Sequence, residues 1–167
     1  QLTGVTHSNG SFANESFAWD ANGNQTGTGY TTTTDNRQTT SPGYTYTYDA
    51  AGDLITATQT STGNVWTYTY DFRDRMTGAV EKTSAGAVLA QATYTYDALD
   101  RRIGMNENGT QTWTLYDGAA PAMDFTGTGS LAMRYLDGPS GDLVDEVLSR
   151  QSSGGTVSWY LPDRLGT

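Results

Sequence analysis

Tyr44-Thr45-Tyr46-Thr47-Tyr48-Asp49-Ala50-Ala51-Gly52-Asp53-Leu54 is the stretch that decides the fold of this chain. Its first five residues alternate strictly. In a β-strand that places Tyr44, Tyr46 and Tyr48 on one face and Thr45 and Thr47 on the other. Tyr and Thr are both residue types that suit a pleated, half-buried surface. Asp49 then starts a tight turn: its carboxylate can accept a backbone N–H two residues on, and Gly52 supplies the freedom the fourth position needs. Leu54 begins a return strand. The stretch is one β-hairpin.

Working outward, the same unit recurs. Phe17-Ala18-Trp19-Asp20-Ala21-Asn22-Gly23-Asn24 precedes it. Tyr68-Thr69-Tyr70-Asp71-Phe72-Arg73-Asp74-Arg75 and Tyr94-Thr95-Tyr96-Asp97-Ala98-Leu99-Asp100-Arg101 follow, with a weaker copy at Thr114-Leu115-Tyr116-Asp117-Gly118. Thr33-Thr34-Asp35-Asn36-Arg37 reads as a decayed copy. The steps from Asp20 to Asp49, Asp71, Asp97 and Asp117 are 29, 22, 26 and 20 residues, the signature of a repeat architecture. Asp74 and Asp100 stand where Gly stood, and Asp tolerates the left-handed conformation better than most residues. Ser61-Thr62-Gly63-Asn64, Ser84-Ala85-Gly86 and Asn106-Glu107-Asn108-Gly109 carry turn chemistry between the units. A lone hairpin is marginal in water, so neighbours must pair or pack. The reading is an all-β antiparallel hairpin meander. Tyr46, Tyr70 and Tyr96 are expected to stack across strands, and Arg75 and Arg101 to pair with a neighbouring turn's carboxylate. Asp142 to Arg150 is read as a strand, although its apolar spacing also suits a helix.

Composition narrows the function. Eleven Tyr outnumber the four Trp and four Phe, and hydrophobic residues make up 35% of 167. A net charge of −9, with nine Lys and Arg scattered from Arg37 to Arg164, leaves no basic patch for nucleic acid. With no Cys, disulfides and thiolate metal sites are excluded. No run approaches the ~20 apolar residues of a spanning helix. The chain begins at Gln1 and reads as an internal piece of a longer protein.

The candidate sites are weighed against structural roles. His7 is the one His and is expected on a surface loop, not in a nucleophilic triad. A carboxylate pair could hydrolyse glycosides, but Asp20, Asp49, Asp71 and Asp97 recur at one position, which speaks for a turn role. Asp20-Ala21-Asn22-Gly23-Asn24 has oxygens at alternate positions like a calcium loop, without the position-six Gly and distant Glu. Exposed aromatics, Trp19 and Trp113 first, could form a sugar platform; rings packed as the repeat's own core are the preferred reading. Lys82, the single Lys, is read as solvated, and sequons at Asn9, Asn14, Asn24 and Asn108 matter only in a glycosylating pathway.

The units resemble the YD repeats of Rhs and teneurin-type proteins, whose pattern is Tyr-x-Tyr-Asp-x-x-Gly-Arg/Asn-Leu. Trp159-Tyr160-Leu161-Pro162-Asp163-Arg164-Leu165-Gly166-Thr167, with Arg134-Tyr135-Leu136-Asp137-Gly138 upstream, resembles the close of an Rhs core. The resemblance implies a strip of a β-shell or β-solenoid-like sheet, as in shells that enclose a toxin or stand on a cell surface. It places YD-repeat units in residues 1–118 and a closing segment in 119–167. It implies a structural, non-catalytic module, secreted or on a bacterial cell surface. The partners implied are other repeats of the parent chain or other copies, with no cofactor. A carbohydrate- or receptor-binding module with a glycan or cell-surface partner is the alternative. The repeat-defining residues are Trp19, Asp20, Gly23, Tyr46, Tyr48, Asp49, Gly52, Tyr68, Tyr70, Asp71, Tyr94, Tyr96 and Asp97.

Overall fold

The structure, a computed structural model, describes residues 1–8, 12–137 and 147–160. It contains strands and turns and, among the described residues, no helix. Two compact units are distinguished, Gln1–Ala90 and Gln91–Thr167. The division at 118/119 expected from the sequence is one of motif content.

In the first unit β1 (Gly4–Val5) pairs with β2 (Glu15–Ser16). A single bridge, Trp19 to Gln25, marks the Asp20 copy of the repeat. A meander follows: β3 (Thr31–Thr32), β4 (Gln38–Ser41), β5 (Tyr44–Tyr48), β6 (Leu54–Gln59), β7 (Val65–Tyr70) and β8 (Met76–Lys82). In the second unit, which β9 (Val88–Tyr96) enters, the strands are β10 (Arg102–Glu107), β11 (Thr110–Asp117), β12 (Ala120–Thr126), β13 (Leu131–Asp137), β14 (Val147–Ser152) and β15 (Val157–Trp159). Within each unit strand order in the meander is sequence order, and the pairings are antiparallel. Of the Asp142–Arg150 stretch, residues 147–150 lie on β14; the rest falls outside the described residues, as do most of the closing motif and the sequon Asn9.

The hairpins share a defect. On each return strand the register slips by one residue, so that Thr39, Ile55, Thr77 and Ile103 have no partner of their own. Each is a β-bulge, which bends the strand and interrupts the ladder.

The two faces differ as the alternation requires. On β5 and β7 the Tyr residues are half-buried and the Thr residues exposed. Thr hydroxyls meet across strands on the Thr face, Thr47 with Thr56 at 2.6 Å and Thr69 with Thr77 at 3.1 Å. On the Tyr face small residues oppose large ones. Ala57 pairs with both Tyr46 and Trp66, and Ala79 with Tyr68. These two alanines are the buried apolar residues among those described, and no large side chain is fully enclosed. The rings therefore roof over alanines and are not themselves sealed in a core. Stacking also runs differently from expectation. The stacked pairs, Tyr44 with Tyr46 (centroids 6.3 Å) and Trp66 with Tyr68 (6.2 Å), lie along one strand. Ala57 occupies the position between Tyr46 and Trp66, so same-strand neighbours two residues apart are the rings in reach.

Candidate functional site

Of the repeat-defining residues, Trp19, Asp20, Gly23, Tyr48, Asp49, Gly52, Tyr70, Asp71 and Asp97 fall in one recurring structure, the joint between consecutive hairpins. Its first half is the turn. The N–H of Asp20, Asp49, Asp71 and Asp97 donates to the carbonyl four residues on, at 2.9–3.0 Å. The fourth position has positive φ in every copy: Gly23 (87°), Gly52 (109°), Asp74 (58°) and Asp100 (65°). This is the three-residue hairpin loop, a type I turn followed by a left-handed residue. The carboxylate locks it from inside. Asp71 Oδ1 accepts from the N–H of Arg73 (2.9 Å) and Arg75 (3.2 Å), and Asp97 Oδ1 from Leu99 (2.9 Å) and Arg101 (3.0 Å). Asp20 does the same with Asn22 and Asn24, while Asp49 takes Gly52 and Asp53. The second N–H, four residues on, is one that sequence reasoning did not anticipate.

The decayed copy keeps the frame. Thr33 N–H donates to the Arg37 carbonyl at 2.8 Å, Asn36 takes the left-handed position at φ 58°, and Thr33 Oγ1 accepts from Asp35 and Arg37. Thr33, not Asp35, stands in the Asp place. At the opposite ends of the strands Thr83, Thr126 and Ser152 build the same loop around a hydroxyl, with Gly86, Gly129 and Gly155 left-handed. The weak copy at Asp117 differs: Asp117 pairs with Ala120 around a two-residue turn.

The arginines go home. Arg75 donates from Nε (2.8 Å) and Nη2 (2.6 Å) to Oδ2 of its own turn's Asp71, and Arg101 from Nε (2.7 Å) and Nη2 (2.6 Å) to Asp97. Each arginine thus closes its own turn, because the loop holds positions one and five side by side. Two arginines also reach a backbone carbonyl of the next turn, Arg37 at Asp49 O (3.2 Å) and Arg101 Nη1 at Gly118 O. The paired carboxylates are only 19% and 18% exposed. The guanidinium beside Asp71 is the main cause that holds its carboxyl below the usual carboxylate range. In Asp97 partial burial pushes the other way, but the bonds from Arg101 and Leu99 outweigh it and the carboxyl is again lowered. Asp20 is lowered chiefly by the Asn24 side chain, Asp49 by the Asp53 N–H. Asp53 moves up, through burial first and then the charges of Asp74 and Asp49.

The second half of the joint was not foreseen. The aromatic residue directly before the turn Asp donates its polar hydrogen to a carbonyl of the preceding segment. Tyr48 OH reaches Gln38 O at 2.7 Å, Tyr70 OH reaches Leu54 O at 3.0 Å and Tyr116 OH reaches Arg102 O at 3.1 Å. Trp19 does it with the indole N–H, to Leu2 O at 2.8 Å. Each Tyr acceptor is the residue just before a bulge position, where the interrupted ladder leaves a carbonyl for a side chain to satisfy. The inner tyrosines have other tasks: Tyr46 OH meets Ser41 Oγ at 2.8 Å, Tyr68 packs on Trp66, and Tyr94 lies under the Arg102 guanidinium (5.4 Å to the ring centroid). Tyr96 is half-buried on the same face.

The remaining candidates are placed as follows. His7 Nε2 lies 3.3 Å from Glu15, with no nucleophile in the pair. The Asp20 loop spends its carboxylate on three N–H donors, Asn24 Nδ2 among them at 2.9 Å. Among the described residues no cluster of three metal-ligating side chains occurs. Trp113 is 40% exposed on the Thr face, where its ring covers Gly104. No helix among the described residues is long and apolar enough to cross a membrane.

A tandem β-hairpin repeat, joined hairpin to hairpin by an aromatic donor and closed by an aspartate-locked turn, is the class these features define. Residues 48–89 match the family model of the RHS Repeat. The matched span begins at Tyr48 and takes in the Asp49 and Asp71 turns. Two solved structures share the fold. The crystal structure of TcdB2-TccC3-Cdc42 is 14% identical, with a TM-score of 0.55, over 90% of this chain and 9% of that one. The Photorhabdus luminescens Tc holotoxin pore with a TccC3 mutation is 14% identical, with a TM-score of 0.55, over 87% and 8%. This chain spans less than a tenth of the length of either. No curated protein sequence matches it significantly.

Proposed function

We propose that this chain is a structural, non-catalytic module, a run of wall in a secreted or cell-surface bacterial shell or scaffold. The observation that carries the reading is the joint itself. The polar hydrogens of Trp19, Tyr48, Tyr70 and Tyr116 are used to hold one hairpin on the one before it. The turn carboxylates are likewise consumed by backbone and Arg donors, so the groups with chemical potential are spent on shape. The likeness in fold to chains of Tc toxin complexes agrees with a wall element of a toxin-associated shell. Residues 119–167 serve as the closing segment, and the partners are further repeats of a longer chain or other copies. Strand edges left unpaired in such a meander are templates for another strand.

Sedimentation velocity and electron microscopy of the purified chain at micromolar concentration test this. Rings, filaments or closed particles would support edge-to-edge assembly. A strictly monomeric chain that is retained on immobilised glycans would overturn it in favour of the carbohydrate-binding alternative, with Trp113 and the 66% exposed Trp159 as the aromatic platform.

A further inference from the structure

We propose that strands β13, β14 and β15 form a binding slot for a small carboxylate with a flat apolar body. The strand pairing sets its shape. Leu136, Ser149 and Trp159 lie in one row across the three strands, and Arg134, Gln151 and Val157 lie in the next. Residues paired across a ladder, and those two apart along a strand, share one face of the sheet. β14 is therefore the floor. The side chains of β13 and β15 stand as walls about 9.5 Å apart, twice the spacing of neighbouring strands. The thickness of the walls themselves leaves a gap one ring wide. The slot has a volume of about 350 Å³, at the small end of ligand pockets.

The row Tyr46–Ala57–Trp66 in the first unit has the same large–small–large build, but it closes on itself. Tyr46 and Trp66 are half-buried there, each stacked on a ring of its own strand, and the floor is a methyl group. In the second unit the residues two along from Leu136 and Trp159 are Arg134 and Val157, and the two walls stay 55% and 66% exposed. The floor is a hydroxyl. Ser149 is 5% exposed, and among the described residues its Oγ forms no hydrogen bond, a costly state for a buried polar group.

The charge of the lining has one sign. Arg134 presents a guanidinium, Ser149 a hydroxyl and Gln151 a carboxamide, and among the described residues no Asp or Glu lines the slot. Arg134 enters no ion pair among those residues. Such a site selects an anion, and the planar guanidinium fork matches a carboxylate. The indole of Trp159, with Leu136 and Val157, takes the apolar body.

Two-dimensional NMR of the isotope-labelled full chain at neutral pH tests this, with cinnamate as the probe and cinnamyl alcohol as its uncharged counterpart. The chain has four indole N–H signals, from Trp19, Trp66, Trp113 and Trp159. Cinnamate should move the Trp159 signal saturably and leave the other three in place. Trp159→Phe should remove the signal that moves. Arg134→Gln, at an exposed residue, should weaken cinnamate binding tenfold or more and that of the alcohol less than twofold. Unchanged Trp66 and Trp113 signals in that variant report an intact sheet. Ser149→Ala should weaken both ligands. No saturable change at Trp159, comparable movement of all four signals, or an equal loss or no loss of both ligands in Arg134→Gln would overturn the proposal.

Discussion

The phenolic O–H of Tyr70 donates to the carbonyl of Leu54 at 3.0 Å, across the boundary between one hairpin and the previous one. The ring that carries it is half-buried on the aromatic face, so the contact joins a directional bond to apolar cover. Removing only the hydroxyl isolates the bond. Tyr70→Phe is expected to cost about 1 kcal/mol, the net worth of a typical hydrogen bond, with the sheet retained. Tyr70→Ala also removes the ring and should cost about 2–3 kcal/mol, the low end of aromatic truncations because the ring is not enclosed. Urea unfolding of both variants measures the difference. Equal losses would show that the bond contributes nothing.

Gly104 and Trp113 form a second testable pair. A Cβ on Gly104 would lie 2.6 Å from Cζ3 of Trp113 and 3.2 Å from Cβ of Thr95. Gly104→Ala should therefore cost about 1–3 kcal/mol through overpacking. In a Trp113→Ala background most of that cost should vanish. A double-mutant cycle reads it; additive losses would mean that the indole does not set the limit.

Gly86 isolates the backbone requirement of the turn. Its φ is +90° and a Cβ there would meet nothing within 4 Å. Gly86→Ala should cost about 1–2 kcal/mol from the left-handed conformation alone. Gly86→Asn should cost clearly less, since Asn is enriched there, as Asn36 at φ 58° illustrates. Thermal unfolding of the two variants gives the order, and Asn worse than Ala would contradict it.

The pH profile has two edges. The carboxyls of Asp20, Asp49, Asp71 and Asp97 are lowered in the folded chain. Their contribution is therefore present above the unfolded value, roughly 3.9, and is lost as pH falls through the lowered ones. The phenols of Tyr48, Tyr68, Tyr70 and Tyr135 are raised, mainly by burial. Below about pH 10 their contribution is intact. Above it the unfolded chain ionises first, and stability falls. Urea midpoints from pH 3 to 11 should form a plateau with losses at both ends. A flat alkaline limb would show that the tyrosines are not held in their neutral form.

Much of this fold is legible because it is local. Tyr44 to Tyr48 announce strand and face in five residues, and Asp49 with Gly52 announces the turn. Long-range geometry is what the chain does not spell out. The partner of Tyr70 lies 16 residues upstream, and only the bulge at Ile55 makes the Leu54 carbonyl available to it. Charge alone cannot say that Arg75 meets the Asp71 carboxylate; the loop decides by placing the two side by side. Thr33 escaped notice as a turn residue because a hydroxyl can fill an aspartate's place once the backbone is set. Ring stacking along β5 and β7 follows from the alanines on β6 and β8, which single-strand periodicity does not reveal.

Four aromatic bonds between hairpins point backwards along the chain: Trp19 to Leu2, Tyr48 to Gln38, Tyr70 to Leu54, Tyr116 to Arg102. In each of the four the donor is younger than its acceptor. As the polypeptide leaves the ribosome, each new hairpin finds its anchoring carbonyl already made, and none has to wait for a strand still to be translated. Loop closures stay short, which favours fast folding, and domains are generally completed from the N-terminal end during synthesis. Reversing the repeat order, so that donors preceded their acceptors, would leave each new edge open until the next unit arrived.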